Sequence, residues 1–284
     1  MFVPQTALDY DYLLSAILSM SALHISTTAL PSQSKGYQLA ALEYQNLAIT
    51  AFQAEHRSAT SEAYHALFAF SIVNLILAVA LPSRLDRDTG RTSIVDSLVT
   101  LFKLLRGTAS IVTSARTFLQ SGPFSNFVRR TAERESGNLE PYTQAAFRRL
   151  RLLRDEDYAV RSASADHSLD AVYMYESITK AIESLEYCFS IHSVDKLGAS
   201  FRWLAMLEPA IVDGISNLDP LALLITMHWA ILLDGLSGEK WWARSSGKAL
   251  AAEITKILTP QKPEWLSAMS WAHREVGLPP LVGV

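Results

Sequence analysis

The sequence has a single cysteine and almost no charge imbalance, and each scarcity excludes a class of function. Cys188 alone cannot form an internal disulfide or supply a cysteine-rich zinc site. Its apolar surroundings in SLEYCFSI favour a buried, inert thiol over a nucleophile. The net charge of −3, from 25 Lys and Arg against 28 Asp and Glu in 284 residues, argues against non-specific nucleic-acid binding. The basic run 148–154 is followed at once by three acids, which indicates a solvated, ion-paired helix face.

The common motifs of catalysis and metal binding are also missing. The chain contains no G-x-S-x-G, no P-loop, no G-x-G-x-x-G and no H-E-x-x-H. LDRDTG (85–90) resembles the start of a calcium loop, but Ser97 stands where the bidentate glutamate belongs. DEDY (155–158) lacks the spacing of the aspartate-rich motif of terpene cyclases. We therefore expect neither a metal nor a cofactor.

The N-terminal segment MFVPQTALDYDY carries no Lys or Arg. A secretory signal begins with positive charge and ends at a small-residue cleavage site, and this segment has neither feature. Together with the single cysteine, this predicts an intracellular protein, cytoplasmic or nuclear.

Apolar residues recur at helical spacing along most of the chain, without strand alternation or a hairpin signal. The pattern predicts an all-α fold: a single domain over 1–284 with about ten to twelve helices around a buried apolar core or pocket. Asp219 followed by Pro220 is a helix-entry signal of known mechanism. The predicted helices lie at about 13–26, 37–54, 61–82, 93–107, 108–120, 142–160, 168–191, 198–207, 220–233, 239–258 and 263–276.

The longest apolar run, HALFAFSIVNLILAVALP (65–82), has the length needed to cross most of a bilayer. Ser71 and Asn74 lie in its middle, where an unpaired amide is costly in lipid. Segments 13–26 and 220–233 are as apolar but too short to span. We therefore predict that 65–82 is a core helix and that the chain has no membrane span.

Isolated polar groups occur inside the apolar helices, notably His24, Asn74, His228, Trp203 and Trp229. Such groups are most often satisfied core residues. As a set, they are also what an apolar pocket would need to orient a lipid-like molecule.

Seven segments, in order, resemble the fungal-specific transcription factor domain, the regulatory region that follows a binuclear zinc-cluster DNA-binding domain. No single motif carries the resemblance, and the middle of the chain (130–165) contributes least to it. The segments are LLSAILSMSALHIS (13–26), YQLAALEYQNLAITAFQ (37–53), ALFAFSIVNLILAVA (66–80), LLRGTASIV (104–112) with SGPF (121–124), DPLALLITMHWAILL (219–233), WWARSSGKAL (241–250) and EWLSAMSW (264–271).

The sequence is most similar to the sterol-sensing branch of that family, whose helical domain binds ergosterol in a deep apolar pocket. The resemblance implies a pocket among the C-terminal helices, near Met227, His228 and the loop Gly238–Trp241–Trp242, and it fits a homodimer. The six cysteines of a zinc cluster are absent, so direct nucleic-acid binding by this chain is not expected. The predicted pocket residues are His24, Phe70, Asn74, Tyr173, Trp203, Met227, His228, Trp229, Trp241 and Trp242.

Three functions remain open from the sequence. The first is a ligand-binding regulatory domain that senses a sterol or terpenoid-like lipid. The second is a stand-alone secondary-metabolite enzyme on the same fold, which would catalyse a cofactor-free cyclisation or pericyclic, Diels–Alder-type reaction by proximity and one polarising donor. The third is a structural or dimerisation module without a ligand. The donor of the second would be His24, His228, Trp203, Trp229 or Tyr173.

Overall fold

The computed structural model describes residues 2–55, 63–81, 97–103, 117, 119, 122–125, 137–163, 168–258 and 263–281. All regular secondary structure in these ranges is helical, which confirms the predicted all-α fold. Backbone contacts group the chain into two compact units, described separately below. The first unit is Met1–Thr92 with Thr100–Arg134, and the second is Ser93–Val99 with Glu135–Val284. One domain over 1–284 stays a prediction.

The first unit is organised around α2 (Asp11–Ser26), which packs against both α3 (Pro31–Glu55) and α4 (Tyr64–Ala80). The Ser19 hydroxyl on α2 donates to the Ala41 carbonyl on α3 at 2.7 Å, so the two helices are also joined by a buried hydrogen bond. Small residues such as Ala16 and Ala41 are fully buried where the helices meet. The elements are α1 (Phe2–Thr6), a 3₁₀ turn (Ala7–Asp9), α2 (Asp11–Ser26), α3 (Pro31–Glu55) and α4 (Tyr64–Ala80).

Helix α4 corresponds to the longest apolar run and is a core helix of the first unit. Eleven of its seventeen residues are buried, on nearly every side of the helix. Phe68 is fully buried and packs with Leu119 and Phe124, and Phe70 packs with rings of α2 and α3. Burial all round is what a uniformly apolar helix requires outside a membrane.

The second unit is built around α9 (Pro220–Asp234), which contacts each of the six other α-helices that the structure describes between Pro141 and Glu275. Twelve of the fifteen α9 residues are buried, so this helix forms the centre of the core. The elements are α5 (Pro141–Ser162), α6 (Ser168–Ile191), α7 (Lys196–Met206), α8 (Pro209–Ser216), α9 (Pro220–Asp234), a 3₁₀ turn (Trp241–Ala243), α10 (Ser246–Leu258) and α11 (Pro263–Glu275).

Helix α9 begins as the sequence predicts. Asp219 is its N-cap, and Oδ1 accepts hydrogen bonds from the backbone N–H groups of Leu221 (3.1 Å) and Ala222 (3.0 Å). Oδ2 pairs with the guanidinium of Arg161, which also donates to Asp157 at 2.6 Å. The same carboxylate therefore starts α9 and connects it to the C-terminal end of α5.

Helices α9 and α10 approach so closely that their contact requires a glycine. A Cβ atom at Gly247 would lie 2.3 Å from the Ala230 carbonyl oxygen and 2.5 Å from the Asp234 backbone nitrogen. Both distances are far below van der Waals contact, so any side chain at this position would push the two helices apart.

Several predicted bounds are wrong. Helix α3 begins at Pro31, not near 37, because proline suits a first helical position and a polar first turn is tolerated on an exposed face. The predicted helix 239–258 is a 3₁₀ turn followed by α10, separated by Ser245 at φ 65°. The short helix α8 was not predicted. Residues 97–103 are helical within the predicted 93–107.

The loop LDRDTG and most of the predicted helix 108–120 lie outside the described residues. Among the helices that the structure does describe, none alone is long and apolar enough to cross a membrane. The pair α8 and α9, bent by 99°, reaches that length and composition only together.

Candidate functional site

The three pocket residues predicted in the N-terminal third do not form a common site. His24 is exposed on α2, whereas Phe70 and Asn74 are buried on α4. Phe70 stacks on Phe52 with 4.7 Å between ring centroids and meets Tyr12 edge-on at 5.2 Å. The Asn74 amide donates to the carbonyl of Phe70 in its own helix at 2.9 Å. Phe70 and Asn74 thus lie in the packed core of the first unit.

The loop after α9 holds two of the predicted residues. Trp242 is buried and lies 6.0 Å from the ring of Phe201, while Trp241 is half-buried. Gly238 is exposed, and a Cβ there would meet no atom within 4 Å. Tyr173 on α6 is 52% exposed. Of these four residues, Trp242 alone belongs to the core.

Trp203 and Trp229 form a stacked pair in the core of the second unit, with ring centroids 5.8 Å apart and planes inclined by 22°. Both are fully buried, and both indole N–H groups are satisfied within the protein. Trp203 donates to the Ala181 carbonyl at 2.8 Å, and Trp229 donates to the Ser200 carbonyl at 2.7 Å. Their single donors are used by the fold and are not available to a ligand in this arrangement.

His228 differs from these tryptophans because one of its polar atoms lacks a partner. The residue is fully buried on α9, next to the equally buried Met227. Its Nδ1 lies 2.8 Å from the Leu224 carbonyl oxygen, and Nε2 is buried without a hydrogen-bond partner. Removal from water lowers the pKa of His228 to about 4, and the positive charge of Arg149 acts in the same direction. The ring is therefore neutral near pH 7.

Trp271 on α11 lies beside His228 and also has a buried nitrogen without a hydrogen-bond partner. Its ring centroid is 5.1 Å from that of His228, with the planes inclined by 34°. The side chain is 5% exposed, and its buried Nε1–H has no acceptor. Phe189 lies 6.0 Å from Trp271, and Phe147 lies 5.4 Å from Phe189. We call these four side chains, from α9, α11, α6 and α5, the His228–Trp271 cluster.

Another buried histidine of the second unit has both of its ring nitrogens satisfied. His273, also on α11, has a partner at each ring nitrogen: the Pro279 carbonyl at 3.0 Å and the Thr255 hydroxyl at 2.5 Å. An unpartnered buried polar group costs about 1–3 kcal/mol, so two adjacent ones need an explanation. Two other imidazole nitrogens, Nδ1 of His65 and Nε2 of His192, are also buried without a partner.

A cleft in the same unit is polar. A cleft of about 320 Å³ lies between α5 and α6 and contains the Arg151–Glu186 ion pair and the guanidinium of Arg148. These charged walls do not suit the apolar ligand that the sequence predicts. Within the described residues, no three His, Cys, Asp or Glu side chains are grouped to hold a metal ion.

Cys188 is buried, as expected, and burial raises the pKa of its thiol to about 12. The group is protonated at neutral pH and is a poor nucleophile. The predicted burial of this residue is confirmed.

Sequence reasoning included His228 among the candidates but missed Trp271. The residue lies in EWLSAMSW, one of the segments that carry the family resemblance. Its signal was the same as that of Trp203 and Trp229: a single donor at an apolar helical position. No sequence pattern distinguishes an indole N–H with a partner from one without, since the partners of Trp203 and Trp229 are 22 and 29 residues away.

Comparison with known proteins adds no identity. No family model matches the chain, and neither the curated proteins nor the solved structures contain a significant match. The resemblance to the fungal regulatory domain therefore stays a prediction.

Proposed function

We propose that this chain is a ligand-binding regulatory domain that senses an apolar molecule, a sterol or a terpenoid, at the His228–Trp271 cluster. The observation that carries the proposal is that two neighbouring rings of the core, His228 and Trp271, each have a buried nitrogen without a hydrogen-bond partner. The resemblance to the fungal regulatory domain supports the regulatory role, because the family's sterol pocket also lies among its C-terminal helices.

The surroundings of the pair favour an apolar ligand. The cluster is completed by Phe189 and Phe147, and α9 beneath it is buried along most of its length. Each Å² of apolar ligand surface removed from water contributes about 25 cal/mol, so shape and burial supply most of the affinity. Two polar atoms then suffice to orient the molecule.

The enzymatic alternative would use the same cluster for a cofactor-free cyclisation. A histidine whose pKa is lowered to about 4 is a weak proton acceptor at neutral pH. This argues against general-base catalysis by His228 and does not bear on catalysis by a polarising donor. The experiment below distinguishes a ligand that is recovered unchanged from one that is converted.

The test is purification from a fungal host, followed by denaturing extraction and mass spectrometry. We expect a sterol or terpenoid in the extract of the wild-type protein, recovered unchanged after incubation. Added ergosterol or geranylgeraniol should raise the melting temperature. The Trp271→Phe protein should show a smaller stabilisation by the same ligand, because it lacks the indole donor beside His228.

The matched control is Trp203→Phe, the same chemical change at an indole whose N–H is satisfied by Ala181. It should cost stability through the lost hydrogen bond but should retain the response to ligand. An empty wild-type protein that no sterol or terpenoid stabilises would contradict the proposal and favour the structural module. A converted product would favour the enzyme.

A further inference from the structure

The polar cleft between α5 and α6 contains a positive charge without a counter-charge. Arg148 and Arg151 line it from one face of α5, and Glu186 lines it from α6. Glu186 pairs with Arg151, and the two side chains are only 29% and 34% exposed. Arg148 is exposed and has no ion pair or hydrogen bond with any residue that the structure describes. Its guanidinium is therefore free to bind an anion that enters the cleft.

Two amide side chains line the same cleft. Gln144 precedes Arg148 by one turn of α5, and Asn138 lies in the segment just before this helix. Gln144 donates one N–H to the Leu139 carbonyl at 2.9 Å, and its carbonyl oxygen stays available to accept. The Asn138 amide has no hydrogen bond within the described part of the chain. The walls thus offer donors and acceptors, and among the described lining residues only Leu139 has an apolar side chain.

We propose that this cleft binds a small hydroxy acid, whose carboxylate pairs with Arg148 and whose hydroxyl groups bond to the other polar walls. The volume of about 320 Å³ is enough for a small organic molecule. The planar guanidinium can hold a carboxylate with two parallel hydrogen bonds. Hydroxyl groups match walls that both donate and accept, which a hydrocarbon body would not.

The charge of the cleft favours a carboxylate over a phosphate. Two arginines against one glutamate give the ionised lining residues a net charge of +1, which a single carboxylate balances. A phosphate carries more than one negative charge at pH 7, and the Glu186 carboxylate would repel the excess. This site is separate from the His228–Trp271 cluster and does not depend on the function proposed there.

The experiment compares a hydroxy acid with its neutral amide on the whole chain. The probes are gluconate and gluconamide, which share their hydroxyl groups and differ in charge, and inorganic phosphate as a second anion. Isothermal titration at pH 7 and a constant ionic strength of about 0.15 M gives the dissociation constants and limits non-specific attraction. We expect gluconate to bind at least about tenfold more tightly than gluconamide, because a charged hydrogen-bonded pair is lost in the amide. Phosphate should bind more weakly than gluconate.

Substitution of Arg148 tests its role directly. Arg148→Gln should reduce gluconate binding to the level of gluconamide, and Arg148→Lys, which keeps the charge without the planar fork, should lie between. The matched control is Arg244→Gln, which removes an exposed arginine that lies outside the cleft and also lacks a partner in the described residues. It should bind gluconate as the wild type does.

Substitution of Glu186 should produce a gain of binding, which a misfolded variant cannot imitate. Glu186→Gln removes the repelling carboxylate and releases Arg151 from its ion pair, so the cleft gains one positive charge. We expect phosphate to bind at least about fivefold more tightly to this variant than to the wild type. Circular dichroism checks that each variant is folded.

Three outcomes would overturn the inference. Equal binding of gluconate and gluconamide to the wild-type protein, or no binding of either, would show that Arg148 is only a solvated surface charge. Unchanged gluconate binding by Arg148→Gln would place any binding elsewhere. Phosphate binding more tightly than gluconate to the wild type would contradict the assignment of a carboxylate. None of these results bears on sterol or terpenoid binding, so the two proposals stand or fall separately.

Discussion

At the scale of single residues, Asp219 gives its two carboxylate oxygens different tasks. Oδ1 caps the first turn of α9, and Oδ2 pairs with Arg161 at the end of α5. Burial of Arg161 acts to lower its pKa, but the hydrogen bonds and charges of Asp157 and Asp219 outweigh that effect and raise it above the usual value. The guanidinium therefore stays charged and available for the ion pair with Asp219.

Substitution of Asp219 separates the two tasks. Asparagine keeps a good N-cap acceptor but loses the ion pair, whereas alanine loses both. We expect the Asp219→Ala protein to be about 1 kcal/mol less stable than the Asp219→Asn protein, which in turn is less stable than the wild type. Urea unfolding followed by circular dichroism measures both differences.

The control for this pair is Asp213→Ala on the exposed face of α8, where we expect a change below about 0.5 kcal/mol. Equal losses in the Asn and Ala variants of Asp219 would show that the cap contributes nothing. The cap could be predicted from the sequence because it is local. The ion pair could not, because Arg161 lies 58 residues away.

At the scale of elements, two glycines in helices have opposite roles. Gly247 on α10 lies against the backbone of α9, whereas Gly36 on α3 has no atom within 4 Å of where its Cβ would be. A glycine inside a helix normally weakens it, because the unfolded chain has more conformational freedom to lose. At Gly36 nothing offsets that cost, and at Gly247 the close approach of two helices does.

The same substitution at both positions should change stability in opposite directions. Gly36→Ala should stabilise the protein by up to about 1 kcal/mol through helix propensity. Gly247→Ala should destabilise it by about 1–3 kcal/mol or more, since the added methyl overlaps backbone atoms of α9. Urea unfolding measures both. A neutral or stabilised Gly247→Ala protein would mean that α9 and α10 separate easily.

Helix positions followed from the sequence wherever a local signal marks them. The predicted 168–191 coincides with α6, and 220–233 differs from α9 by one residue, because a cap, a proline or an apolar period specifies each. The prediction of one helix over 239–258 is wrong. The spacing of the apolar residues around WWAR favours a continuous helix. The positive φ of Ser245 interrupts the helix, and no residue type in the segment predicts that angle.

At the scale of the whole molecule, the buried histidines make stability depend on pH. The pKa of His228 falls from 6.5 to about 4 on folding, and burial also lowers the pKa of His192. The unfolded chain therefore binds more protons than the folded one between these values, so the free energy of unfolding falls as pH drops below about 6.5. For His228 alone the loss reaches about 2 kcal/mol at pH 5.

We expect urea unfolding at pH 7 and pH 5 to show this loss. The carboxylates with lowered pKa, Glu208 and Glu239, contribute stability that is lost only at lower pH, so they do not dominate this window. His228→Phe should remove most of the difference, whereas Phe189→Leu, an equally intrusive change in the same cluster, should keep it. If the free energy of unfolding of the His228→Phe protein depended on pH as in the wild type, His228 would not be the source of the loss.

The Trp203–Trp229 stack has an optical consequence. All six tryptophans belong to the second unit, and the first unit has none. The other four are Trp241, Trp242, Trp265 and Trp271. Indole emission therefore reports on one unit, while circular dichroism at helical wavelengths reports on both. If 1–284 is one cooperative domain, the two signals should show the same urea midpoint, and distinct midpoints would indicate two domains. The six tryptophans therefore serve as an intrinsic fluorescence probe of the second unit alone.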